Sequence, residues 1–275
     1  MKHCTSNLIN GAPRPMDMSY IQTKEGKSYL SFLSFSWGLA AEVDIESEQI
    51  RFLGGARFTI WSLYSLLKMD SSQAKISYKQ IDIESNPKDR SKHRYLKKGY
   101  WCGVLGIDDD ISEASDSNLV DLDSKSVFPL PTSVELASVQ PSQLENILQE
   151  PPIDTSLSTS DGWNVIEDKF VMGMVLSKPW LAKDVYMAPQ FKGLDDGVMW
   201  LIMIRHGISR DRMLQLMMSF SDGGHIQFPE VEMIPVTAVR LEPRVDSGVM
   251  MVDGEQIEHG PIQAEVLPSF SNIVC

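Results

Sequence analysis

Polar and apolar positions change their period along this chain, and the changes mark out its elements. Met16 to Thr23 alternates as a strand does, Lys24-Glu25-Gly26-Lys27 supplies a turn, and Ser28 to Ala40 resumes the alternation, so the three stretches predict a β-hairpin. Pro13 and Pro15 break any helix before it. From Val43 to Phe52 the period turns helical, with Val43, Ile50 and Leu53 on one side and Glu42, Asp44, Glu46 and Glu48 in the early turns, where carboxylates suit the helix dipole. Gly54-Gly55 ends that helix. Ala56 to Met69 predicts a second one, with Phe58, Trp61, Leu63, Tyr64, Leu66 and Leu67 forming a broad apolar face.

Beyond it, Ala74 to Ile83 alternates as a strand, and Lys88 to Lys98 is a basic run. Ile107 to Gly162 shows no sustained period and is rich in Ser, Asp and Pro, the composition of a segment that buries too little apolar surface to order itself. Lys169 to Leu176 and Val198 to Ile204 predict buried strands, Ser209 caps a helix from Arg210 to about Phe220 that Gly223-Gly224 ends, and Glu232 to Glu242, Gly248 to Val252 and Ile262 to Leu267 predict further strands. Many short-spaced strands with three helices predict a mainly β, α+β fold: an antiparallel β-sandwich-like domain with a few helices packed at one end.

Composition adds a compartment and a charge map. The three cysteines, Cys4, Cys102 and Cys275, have no paired spacing, which fits a reducing, cytoplasmic setting and offers neither a disulfide framework nor a metal site. Met1 to Gly11 lacks the apolar centre of a secretory leader, and no apolar run approaches the ~20 residues that span a bilayer, so membrane contact is expected to be peripheral. Net charge is −12, but residues 107–162 carry twelve acidic residues against Lys125 alone, which leaves the rest nearly neutral. A neutral fold with no stacking motif beside its basic run excludes nucleic acid as the expected partner. The basic run itself reads as a solvated face, a partner for the acidic loop, or a contact for anionic lipid. Ser112, Ser115 and Ser117 in the acidic loop are candidate phosphate acceptors.

The residues with chemistry cluster around Ser34 to Thr59. An apolar run through Leu39, Ala40 and Ala41 precedes the carboxylates, and Arg51 and Arg57 flank the glycine pair. On spacing alone Asp44 reads as a helix N-terminal acid or as a headgroup acceptor beside an apolar wall, and Arg51 as a surface partner of Glu48 or as a phosphate contact. Asp253-Gly254 reads as a type I′ hairpin turn. Met213, Leu216 and Met217 read as helix core or as an adaptable wall for an alkyl chain, and His225 as a shape-setting side chain rather than a base.

The stretches W-G-L-A-A-E-V-D-I-E-S-E and R-F-L-G-G-A-R-F-T, followed near the C-terminus by V-T-A-V-R-L-E-P-R and S-G-V-M-M-V-D-G-E, resemble two signatures of the sphingosine kinases, within the diacylglycerol-kinase-like lipid kinase superfamily. The resemblance covers most of the chain outside residues 101–162. It implies the C-terminal, lipid-binding domain of that fold, and it implies that the N-terminal α/β catalytic domain is absent, since no Gly-Gly-x-Gly or Ser-Gly-Asp-Gly run is present. The implied layout is a remnant of the inter-domain segment at 1–15, a β-sandwich domain at 16–106 and 163–275, and an acidic disordered insertion at 107–162.

The resemblance also implies roles. Asp44 would bind the headgroup of a sphingoid base, with Leu39, Ala40, Phe58, Ser62, Met213, Leu216, Met217 and His225 around its tail. Arg51, Arg57, Asp253 and Glu255 would face ATP and its Mg2+ in the complete enzyme, whose catalytic base would come from the missing domain. The expected function is the substrate-binding part of an enzyme that phosphorylates the primary hydroxyl of sphingoid bases to give sphingosine 1-phosphate, inactive as this chain alone. The alternatives are a non-catalytic module that binds sphingoid lipids or partners, and a diacylglycerol or ceramide kinase relative, for which A-E-V-D-I-E-S-E is a poorer match.

Overall fold

The computed structural model describes residues 12–53, 56–82, 148–182, 184–245 and 248–274, and within them the backbone alone at 48, 51, 53 and 56–59. The predicted N-terminal hairpin is present. Strand β1 (Pro13–Thr23) pairs antiparallel with β2 (Ser28–Ser31) from Ser19 opposite Ser31 to Gln22 opposite Ser28, across a turn in which Gly26 takes φ +85°.

The stretch from Ser28 to Ala40 is not one strand. It breaks at Phe32-Leu33 and resumes as β3 (Ser34–Gly38), after which Gly38, at φ +67°, turns the chain into helix α1 (Leu39–Ser47). A β-carbon on Gly38 would lie 2.6 Å from the Val171 carbonyl oxygen, so the turn is built for glycine. The helix therefore starts four residues before Val43, because three consecutive small or apolar residues fit either period. It is followed by a 3-10 segment, Glu48–Leu53, kinked at Ile50, and then by α2 (Ala56–Lys68).

The sheet closes on itself. Strand β5 (Asn164–Leu176) pairs with β4 (Ser72–Gln80) through its first half and with β8 (Met199–Arg205) through its second. Strand β9 (Val231–Pro243) does the converse, pairing with β8 through Val231–Val236 and with β4 through Val236–Pro243. These four form a ring with no free edge. From β5 the sheet extends through β3 to the hairpin β10 (Met250–Val252) and β11 (Glu255–Ile257), and from β9 it extends through β12 (Ile262–Val274) to β1 and β2. A short hairpin, β6 (Trp180–Ala182) with β7 (Val185–Tyr186), stands apart, its Trp180 and Tyr186 rings stacked at 4.2 Å. The expectation of an antiparallel, sandwich-like, mainly β fold is met.

Strand alternation sends side chains into two layers. One fills the interior of the curved sheet and contains Ile21, Phe35, Trp37, Ile76, Phe170, Leu201, Met203, Val239 and Ile262. The other lies between the outer surface of β5 and β8 and the helices, including α3 (Arg210–Met218), and contains Leu39, Leu66, Met172, Met174, Trp200, Ile202, Met213 and Leu216. Ser209 caps α3 as predicted, its hydroxyl accepting from the Arg212 N–H at 3.2 Å, although the helix gives way to a 3-10 turn at Ser219.

The acidic stretch also differs from expectation. Residues 107–147 lie outside the described residues, as do Lys88 to Lys98, but Leu148 to Gly162 is ordered against the sheet. Ile153 and Trp163 are buried, and Arg240, Gln263 and Glu265 hydrogen-bond to its backbone. A composition poor in apolar residues hid the Ile153 anchor, and the arginine that holds the segment lies far along the chain, on β9.

Candidate functional site

The helix-side layer brings together residues far apart in the chain. Leu39 opens α1 and is buried, Ala40 is half-buried beside it, and Met213, Leu216 and Met217 reach the same layer from α3. Helices α1 and α2 pack on each other, and α2 also meets α3. One wall of the layer is β5 and β8, which contribute Met172, Met174, Trp200 and Ile202.

His225 sits at the edge of this layer, completely buried. Its Nε2 lies 2.9 Å from the Met187 carbonyl oxygen, and Phe220 meets the ring edge-on at 5.2 Å. Burial pushes its pKa below the usual histidine range, against the opposing pull of that hydrogen bond, so the ring is neutral at pH 7. A neutral imidazole donating to a carbonyl shapes the wall and fixes the 224–227 turn.

Asp44 lies half-buried on α1, and its carbonyl accepts the Ser47 hydroxyl at 2.9 Å. Glu46 accepts the indole N–H of Trp61 at 3.2 Å, tying α1 to α2, and Trp61 stands next to the half-buried Ser62. Burial, then Glu46 and Asp70, raise the Glu42 pKa. Glu42, Asp44 and Glu46 thus put three half-buried carboxylates on the helix that opens with Leu39 and Ala40. The side chains of Arg51, Arg57 and Phe58 lie outside the described residues.

Asp253 and Gly254, at φ +49° and +90°, form the two-residue turn between β10 and β11, with Val252 opposite Glu255. Both positive angles identify the type I′ turn that the sequence predicts. The Asp253 carboxylate is occupied by the fold: it accepts from the Ser31 hydroxyl at 2.7 Å and from the N–H groups of Phe32, Leu33 and Ser34 at 3.0, 3.1 and 2.8 Å. It is therefore the centre around which the β2–β3 connection turns, a role that spacing gave no means to see. Glu255 is exposed at the start of β11.

Next to this hairpin lies a buried ion knot that the sequence also hid. Lys178, 2% exposed, donates from Nζ to the carbonyl oxygens of Asp17 at 3.0 Å and Ser177 at 2.9 Å. Asp17, 3% exposed, accepts from the N–H groups of Gly197 and Ser269 at 2.5 and 2.6 Å. Desolvation lowers the Lys178 pKa to about 8, against the pull of Asp17, Asp196, Asp253 and Asp195. Among the described residues, no group of three or more His, Cys, Asp or Glu side chains is arranged to hold a metal ion.

Comparison with known proteins agrees with this architecture. Residues 112–275 match the family described as the YegS C-terminal NAD kinase beta sandwich-like domain. Human sphingosine kinase 2 is 27% identical over 99% of this chain and 52% of its own length, and mouse sphingosine kinase 1 is 29% identical over 99% and 59%. Sphingosine kinase 1 of Arabidopsis thaliana is 28% identical over 93% of this chain and 44% of its own length, so the chain spans about half the length of these curated relatives. A crystal structure of a diacylglycerol kinase from Bacillus anthracis is similar at a TM-score of 0.40, with 11% identity over 96% of this chain and 54% of that one. The chain belongs to the YegS C-terminal NAD kinase beta sandwich-like family, the β-sandwich domain of the diacylglycerol and sphingosine kinase family.

Proposed function

We propose that this chain is the C-terminal, substrate-binding part of a sphingosine kinase, and that it is inactive in isolation. One observation carries the reading: Leu39, Ala40, Met213, Leu216 and Met217 share a single apolar layer behind the helix that bears Asp44. A sphingoid base needs that combination, an apolar sleeve for its tail and a carboxylate for its ammonium, since a charge-assisted hydrogen bond is roughly twice as strong as a neutral one. His225 closes the sleeve as a neutral wall. In this reading Phe58 and Ser62 belong with the residues around the tail.

ATP would approach from the side of Arg51, Arg57 and the β10–β11 hairpin, and its γ-phosphate would pass to the primary hydroxyl of the base, giving sphingosine 1-phosphate. Asp253 fits a positioning role better than a magnesium ligand, because four hydrogen bonds to the 31–34 turn already engage its carboxylate. The groups that hold Mg2+ and the terminal phosphates, and the base that takes the hydroxyl proton, are assigned to an N-terminal domain outside this chain. Exposed apolar side chains at Phe52, Ile60, Leu63 and Leu67 support a chain that works against a further surface rather than a free-standing carrier. Contact with membranes is proposed to be peripheral, consistent with no described helix being long and apolar enough to cross one.

The test is phosphorylation of sphingosine from labelled ATP by the purified chain and its Asp44→Asn variant, alongside direct lipid binding. No phosphorylation, with binding weakened at least tenfold by the substitution, is expected. Phosphorylation that disappears in Asp44→Asn would overturn the claim that catalysis needs a second domain, and lipid binding indifferent to Asp44 would overturn the headgroup assignment.

A further inference from the structure

The helix-side wall is laid out in rows. Strands β3, β5, β8 and β9 stand side by side there, and their registers set Ser36, Met174, Ile202 and Met233 in one row and Ser34, Leu176, Trp200 and Pro235 in the next. Helix α1, which carries Asp44, packs at the β3 end. At roughly 4.8 Å per strand, β8 and β9 lie about 10 and about 14 Å from β3 along the wall.

That far corner is polar, although the wall around it is apolar. Residues 187–191 cross it, and Phe191 is buried against Trp200 with the two rings edge-on at 6.4 Å. Gln190, beside Phe191, donates from Nε2 to the Met233 Sδ at 3.4 Å, and Met233 is the diagonal neighbour of Trp200 across the β8–β9 pair. Diagonal neighbours are within reach of long and aromatic side chains. Two polar atoms here are buried with no hydrogen-bond partner among the described residues: the Oε1 of Gln190, and the indole Nε1 of Trp200, a side chain only 6% exposed.

The two atoms are chemically complementary. An amide oxygen only accepts and an indole N–H only donates, so an alkyl chain laid between them leaves both desolvated and unpaired. An ammonium would satisfy Gln190 alone, and a carboxylate Trp200 alone. A hydroxyl serves both, its oxygen accepting from Trp200 and its hydrogen going to Gln190.

Resting on the lipid-binding reading above, we propose that this corner is a hydroxyl subsite at the far end of the sleeve, formed by Trp200 and Gln190, and that the chain prefers a long-chain base whose tail carries a hydroxyl well away from the amine. The span of about 14 Å between β3 and β9 sets that requirement, because a hydroxyl beside the head stays at the Asp44 end.

The experiment is direct binding, to the full chain, of sphinganine and of sphinganines that bear one extra hydroxyl beside the head, in mid-chain or at the tail end, comparing wild type with Gln190→Met and Trp200→Phe. Wild type is expected to bind the mid-chain or the tail-end hydroxyl form about tenfold more tightly than sphinganine, with no gain from a hydroxyl beside the head, and either substitution is expected to bring that ratio close to one. Sphinganine bound as tightly as every hydroxylated form by wild type, or a gain only from the hydroxyl beside the head, would overturn the subsite alone, the corner then being filled by water or plain chain. A distal preference that survives both substitutions would overturn its assignment to these two residues. Binding of no base at all would overturn the lipid reading itself, and the subsite with it. Gln190→Met, at a half-buried position, decides the matter should Trp200→Phe fail to fold.

Discussion

Lys178 allows a quantitative test of the buried ion knot. Its ammonium has left water for two backbone carbonyls, and the ordinary lysine pKa of 10.5 falls to about 8. Between these values the unfolded chain holds a proton on this nitrogen that the folded chain has released, so stability rises with pH across that window. At ~1.4 kcal/mol per pKa step, the rise attributable to this one group is about 3 kcal/mol, complete near pH 10.5 and absent below about pH 8. Other groups titrate in the same range, so the comparison must be a difference. Urea unfolding of wild type and Lys178→Met at pH 7, 8.5 and 10 cancels them: the wild type should gain about 3 kcal/mol relative to the variant on going from pH 7 to pH 10. Parallel pH profiles would refute the reasoning, since they would mean that Lys178 keeps its solution pKa and is hydrated in the folded chain.

Other expectations follow from single contacts. Asp253→Ala removes the acceptor of four hydrogen bonds at a partly buried turn and should cost about 3 kcal/mol by urea unfolding, whereas Asp253→Asn, which tolerates positive φ, should cost less. At Gly173 a β-carbon would fall 1.9 Å from the Trp37 ring, so Gly173→Ala should lose at least about 2 kcal/mol and red-shift or broaden the tryptophan emission as the buried ring is displaced.

Legibility in the sequence followed how local the cause was. The β1–β2 hairpin, the Ser209 cap and the Asp253-Gly254 turn were readable because each is set by a few neighbouring residues whose φ angles or hydrogen bonds are chemically constrained. The start of α1 was missed because Leu39, Ala40 and Ala41 satisfy strand and helix equally, and what decides is Gly38 pressed against Val171, more than a hundred positions away. The division of β2 from β3 was invisible for the same reason, its cause being a carboxylate at position 253. The apolar residues on α1 and α3 proposed to line the lipid site were singled out by family resemblance alone. Periodicity alone gave them as core, and in the structure they are core as well. Lys178, Asp17 and Arg240 went unremarked because an isolated charge in a sequence carries no sign of its burial.

The pairing of β1 with β12 bears on how this chain is made. Pro13 lies opposite Val274 and Thr23 opposite Ile262, so β1, the first of the described strands, is paired along most of its length only by β12, the last of them. While translation proceeds, β2 pairs one edge of β1 over Ser19–Gln22, and the opposite edge, which β12 takes, stays open to other chains. Folding on the ribosome is thus held back by the order of the strands, and a nascent chain that stalls before β12 would present an unpaired edge to chaperones.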